Sequence, residues 1–156
     1  MITIYTDGAA KGNPGPGGYG AILDYKGKRK ELSEGFRNTT NNRMELLAVI
    51  KALEAIKKPG WNVLVYSDSK YVVDAVEKGW LAGWVRKGFK GKKNPDLWKR
   101  YLEVSKPHNV KFQWVKGHAG HPENERCDEL AVEAAESFDL KIDHEFEANQ
   151  EDTGMF

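Results

Sequence analysis

The chain holds a single cysteine, Cys127, so it can form no internal disulfide and no cysteine-based zinc site. A lone cysteine suits a reducing, cytoplasmic compartment, and its plainest role is that of a small buried apolar side chain. Long apolar runs are also missing, and no window approaches the roughly 18 residues that a membrane span requires. The chain opens MITIYTDG, with no basic segment leading into an apolar stretch, so neither export nor a membrane partner is expected. Net charge is nearly absent as well, at +1. What is present is a globular composition in 156 residues, 40% of them hydrophobic and 30% charged, which is the usual size of one domain with its own core.

The small net charge hides a strong polarity. Residues 1–77 carry 11 Lys/Arg against 9 Asp/Glu, residues 78–116 carry 11 against 2, and residues 117–156 carry 2 against 12. The middle stretch also contains Trp80, Trp84, Phe89 and Trp98. Cationic charge interleaved with aromatics is the pattern of a nucleic-acid-binding element, and a solvated lysine loop has little use for so many large rings.

Alternation and β-branched residues predict a first strand ending near Asp7, followed by the glycine-rich turn GNPGPGGYG. YGAILDY and KELSEGF continue an antiparallel meander. The run from Asn41 to Lys57 is dense in helix formers, with Thr39, Thr40, Asn41 and Asn42 all competent N-caps and Pro59-Gly60 as the stop. NVLVYS is an apolar strand of the buried parallel type, SKYVVDAVEKGW a short helix, PDLWKRYLEVS a helix, NVKFQWVKG a strand and PENERCDELAVEAAESF a final helix. The expected fold is therefore α/β: a five-stranded mixed sheet, antiparallel meander plus two parallel strands, with helices packed on it. Residues 1–138 form the expected domain, and 139–156 an acidic, poorly ordered C-terminal tail. A single-strand-binding protein is the one protein partner considered for that tail, and the chain is expected to act as a monomer.

In this topology Asp7 and Asp68 emerge side by side at the carboxyl ends of neighbouring parallel strands, the edge at which open α/β sheets bind ligands. Glu45 lies in the first turns of the long helix, either beside them or merely closing a capping box with Asn42. On the last helix, Cys127, Leu130, Ala131, Ala134 and Phe138 share one face and Glu125, Glu129, Glu133 and Glu136 the opposite one, with Asp128 on the flank. Clustered carboxylates repel unless a cation sits among them, and hard oxygen ligands without thiolate select Mg²⁺, with Mn²⁺ as substitute. Two such ions can activate water and stabilise the leaving oxygen of an in-line displacement at phosphorus. His118 follows the last strand between glycines and has a pKa suited to moving a proton near neutrality, whereas His108 and His121 carry no such signal.

The strings YTDGA (5–9), GNPGPGGYGAIL (12–23), TTNNRMEL (39–46), SDSKYV (67–72) and VKGHAGHPENERCDELA (115–131) closely resemble bacterial ribonuclease H of type 1. The match spans most of the chain, and five strings in order are highly specific. The resemblance implies an endonuclease that hydrolyses the RNA strand of RNA/DNA hybrids, acting in removal of RNA primers and hybrids. It implies that Asp7, Glu45, Asp68 and Asp128 are metal-binding catalytic carboxylates and His118 a proton shuttle. It further implies that Asn13, Asn41 and Asn42 touch the hybrid's minor groove and that Thr40 with Asn13 holds a DNA-strand phosphate. GWLAGWVRKGFKGKKN resembles the family's basic protrusion, placed at about 79–94, with Trp80, Trp84, Lys87, Lys90, Lys92 and Lys93 as its contacts. Lys70 stands where a glutamine is common, and the stretch between Phe89 and Asn94 is shortened; both bear on substrate contacts and neither on the four acids. A non-catalytic hybrid-binding module is the second reading, and a DNA-cutting or strand-transferring enzyme the third.

Overall fold

A computed structural model describes residues 1–117 and 119–151. Five strands form one sheet in the order β3-β2-β1-β4-β5: β1 (Ile2–Ala10), β2 (Gly15–Tyr25), β3 (Lys28–Thr39), β4 (Asn62–Ser67) and β5 (Asn109–Trp114). β1, β2 and β3 pair antiparallel, while β4 lies parallel to β1 and β5 parallel to β4. The expected sheet is the observed one.

Helices α1 (Asn41–Glu54) and α5 (Pro122–Ala135) cover opposite faces. The clearest sign is in β2, where a side chain at Gly17 would strike Met44 of α1 and one at the next residue, Gly18, would strike Ala131 of α5. Every residue of α1 from Arg43 to Ile50 is buried, because α1 is sandwiched between the sheet and α4 (Pro95–Ser105). This explains its broadly apolar sequence: a helix enclosed on both sides needs no solvent stripe. Thr40, in extended conformation, caps α1 by accepting a hydrogen bond from the Arg43 amide at 3.2 Å. Ser69 does the same for α2 (Lys70–Glu77), accepting from Val72.

The core contains two residues expected on the nucleic-acid surface. Trp98 is fully buried and Phe89 nearly so, with Trp84 packed edge-on against Trp98. The basic segment thus folds as a short helix, α3 (Trp80–Arg86), anchored by Leu81 and Phe89. Aromatics that looked like binding surface serve as its roots, and only Trp80 of the four is strongly exposed.

Two expectations about the C-terminal part are corrected. Phe138 does not join the buried face of α5, which ends at Ala135; its side chain is fully exposed beyond the helix. Residues 139–151, read as a poorly ordered tail, dock on the body instead. Lys141 makes a parallel bridge to Phe36 on the edge of β3, and helix α6 (His144–Glu151) follows. The anchor is Asp143, a carboxylate whose partners, Arg43 and Thr39, are supplied from elements far away in sequence. Among the described residues, no helix is long and apolar enough to cross a membrane.

Candidate metal and nucleic-acid site

β1 and β4 pair with Tyr5 opposite Tyr66, so the same register carried two residues on sets Asp7 beside Asp68. Glu45 is brought to them by close packing. A side chain at Gly8 would collide with the backbone of Met44 and Glu45, so glycine there lets α1 lie directly on β1. The Gly8 amide then donates to both the Asp7 carboxylate, at 2.9 Å, and the Glu45 carboxylate. Glu45 therefore turns inward to the cluster rather than closing a capping box; Thr40 is the cap.

One oxygen from each of Asp7, Glu45 and Asp68 lies within 4.8 Å of the others. Asp128 stands just outside this group, on α5, lining the same small cleft with Asp7, Asp68, Val115, Lys116, Gly117 and Asn124. Gly117 permits the β5–α5 connection to cross the cluster, because a side chain there would come within 2.8 Å of Asp68 Oδ2. His118 lies outside the described residues.

Crowding shows in the acid strengths. Burial, followed by the charges of Asp7 and Asp68, holds the Glu45 carboxyl well above the ordinary carboxylate range. Burial also raises Asp7, to about 7, with Asp68 and Asp128 adding to it and a hydrogen bond with Glu45 opposing it. Among the described residues, Asp68 Oδ1 is buried without a hydrogen-bond partner. Hard anionic oxygens that repel one another, one of them unsatisfied, fit a hard divalent cation. Asn124 also offers a buried Nδ2 with no acceptor among the described residues, in the same cleft. Sequence reading missed it; the signal present was its position one turn before Asp128 on the same helix.

The predicted substrate contacts fall into three groups. Asn13, Thr40, Asn42, Lys92 and Lys93 surround one cleft of about 470 Å³, and Asn41 joins them through its amide, which donates to Asn13 Oδ1 at 3.1 Å. Trp80, Trp84, Lys92 and Lys93 line an adjoining cleft of about 290 Å³ with Tyr71. Lys87, Lys90 and Lys70 line neither: Lys87 and Lys90 are exposed on the far part of the basic segment, and the Lys70 ammonium lies 4.7 Å from the Trp114 ring centre. Cys127 is buried beside Tyr5, donating to its carbonyl, and burial pushes its thiol far up, away from reactivity.

The RNase H family model matches residues 1–136. The ribonuclease H of Desulforamulus reducens is 62% identical over 147 residues, covering 91% of this chain and 92% of that protein. The ribonuclease H of a Sulfurovum species is 59% identical, covering 87% and 91%. Among solved structures, LC9-RNase H1, a type 1 enzyme with the type 2 active-site motif, is 35% identical with a TM-score of 0.77, over 86% of this chain and 71% of that one. LC11-RNase H1 in complex with an RNA/DNA hybrid is 30% identical with a TM-score of 0.61, over 86% and 96%.

Proposed function

This chain belongs to the ribonuclease H family, and on that premise we propose how its own residues carry out hydrolysis of the RNA strand of an RNA/DNA hybrid. The observation that carries the reading is the approach of Asp7, Glu45 and Asp68 within 4.8 Å at the carboxyl edge of β1 and β4. Together with Asp128 on the rim, they are the residues that would hold the metal. Oxygen-only donors favour Mg²⁺, with Mn²⁺ able to replace it. Bound there, such a cation promotes attack of water on phosphorus and stabilises the leaving oxygen.

The protein's part is positioning and charge. The Gly8 amide holds Asp7 and Glu45 toward one point, so their carboxylates need not be organised again at each turnover. Asn124 has a buried amide to offer an oxygen in the same cleft. His118 is assigned the proton transfer, on the strength of the sequence resemblance and its pKa class. Asn13, Asn41 and Asn42 are assigned to the minor groove of the hybrid and Thr40 with Asn13 to a DNA-strand phosphate, while Lys92, Lys93, Trp80 and Trp84 continue that surface. Choice of the RNA strand follows from a required contact to its 2′-hydroxyl, the group the DNA strand lacks. Residues 1–138 carry the chemistry, in a monomer placed in the cytoplasm.

The test is to offer labelled hybrid, duplex RNA, single-stranded RNA and duplex DNA, each with and without Mg²⁺. Cleavage is expected only of the RNA in hybrid and only with metal. Metal-independent cleavage, or equal cutting of duplex DNA, would overturn the reading.

A further inference from the structure

Helix α6 and the strand-like turn before it are fastened to β3 and α1, away from the carboxylate cluster. Backbone bonds join Arg37 N to Lys141 O at 2.9 Å and Lys141 N to Gly35 O at 2.8 Å. Asp143 is gripped by Arg43 and Thr39, Glu147 by Arg37 at 2.8 Å, and Gln150 by Asn38 at 2.6 Å. These contacts orient α6 so that Phe146 and Asn149, three residues apart and hence on one helical face, line the cleft that also holds Asn13, Thr40, Asn42, Lys92 and Lys93.

The distribution of charge on this segment is selective. Asp143 is paired with Arg43 and Glu147 with Arg37, and Glu145 lines a different groove, beside His144 and Lys141. The cleft's own carboxylate, Asp96, shares the Arg43 guanidinium with Asp143, at 2.7 Å, so its oxygens are engaged although the three groups together keep one negative charge. An otherwise acidic helix thus presents an exposed amide and an aromatic ring to a cleft that two lysines also line. A hydrogen-bond donor and two lysines in one cleft where, among the described residues, each lining carboxylate has a cation beside it are chemically matched to a phosphodiester backbone.

We propose that α6 forms one wall of the nucleic-acid cleft, with Asn149 donating a hydrogen bond to a backbone oxygen of the strand that Lys92 and Lys93 attract into the same cleft. This rests on the hybrid-cleaving function. It extends the binding surface into the segment beyond residue 138, outside the part matched by the family model.

The experiment is a signed series at one exposed position, Asn149→Ala, Asn149→Glu and Asn149→Lys, read by hybrid cleavage and by direct binding of a non-cleaved hybrid in chelator. Asn149→Ala should raise KM and Kd about 2- to 10-fold, the worth of one hydrogen bond. Asn149→Glu should raise both further, and more so at low salt. Asn149→Lys should restore or tighten binding and steepen the logarithmic salt slope by about 0.9. kcat and Tm should stay at wild-type values throughout. Identical Kd and salt slope across the series would overturn the proposal. Failure of the wild-type chain to cleave hybrid would instead refute the function, with the binding series still deciding the role of α6.

Discussion

The Arg43 guanidinium and the Asp143 carboxylate, 100 residues apart in sequence, meet as a two-point pair at 2.7 and 2.9 Å. Arg43 also holds Asp96 through two bonds, so one buried side chain ties the first turn of α1, the start of α4 and the C-terminal segment together. Burial opposes its charge, but the two carboxylates outweigh that and hold the guanidinium firmly protonated. Removing Asp143 leaves the buried guanidinium paired with Asp96 alone, with its other charge-assisted bonds unmade and the Thr39 hydroxyl without its acceptor. Asp143→Ala is therefore expected to destabilise by about 1.5–3 kcal/mol in urea unfolding. A loss below about 1 kcal/mol, the worth of an exposed pair, would show that α6 is not a structural part of the domain.

Asp68→Asn removes a charge and almost no volume from the carboxylate cluster. Cleavage should vanish, while folding and hybrid affinity remain, since the substitution touches neither the core nor the lysine-lined cleft. Near-normal turnover in saturating Mg²⁺ would take Asp68 out of the site.

Asp7 titrates in the folded, metal-free protein at about 7, against 3.8 for its ordinary value, chiefly through burial. The folded state therefore keeps a proton that the unfolded chain releases, so this group's contribution to stability is full below the ordinary value and is lost as pH rises to about 7. In chelator, Tm should fall across that window. Metal must displace the proton, so Mg²⁺ should bind more tightly as pH rises through neutrality and raise Tm more at pH ~8 than at pH ~5.5. A Tm gain from Mg²⁺ that is independent of pH would contradict the protonated cluster.

Replacing Lys87, Lys90, Lys92 and Lys93 together by Ala should raise KM and flatten its salt dependence, by about 0.9 in logarithmic slope for each phosphate no longer neutralised. All four are exposed, so Tm should hardly move. Because only Lys92 and Lys93 of the four line the clefts, that pair alone should account for most of the change. An unaltered salt slope in the quadruple variant would return the segment to a solvated loop.

Much of this protein is determined locally and is therefore visible in its sequence. Period-two alternation and a continuous apolar run are direct consequences of how strands bury their side chains, so the meander, the place of the fourth strand beside the first and the adjacency of Asp7 and Asp68 could be derived. Competent caps before a run of helix formers located α1, because capping is a matter of a few neighbouring residues. Other features depend on partners distant in sequence, and the structure alone decided them. Glu45 had two local roles open to it, and the close approach that Gly8 allows selected the inward one. Trp98 and Phe89 were equally suited to a surface or a core, since an aromatic ring does not announce which side of it is dry. The acidic end of the chain reads as a solvated tail because a carboxylate's sequence neighbours do not reveal a cation arriving from elsewhere; Arg43, reaching Asp143 across 100 residues, makes it part of the fold.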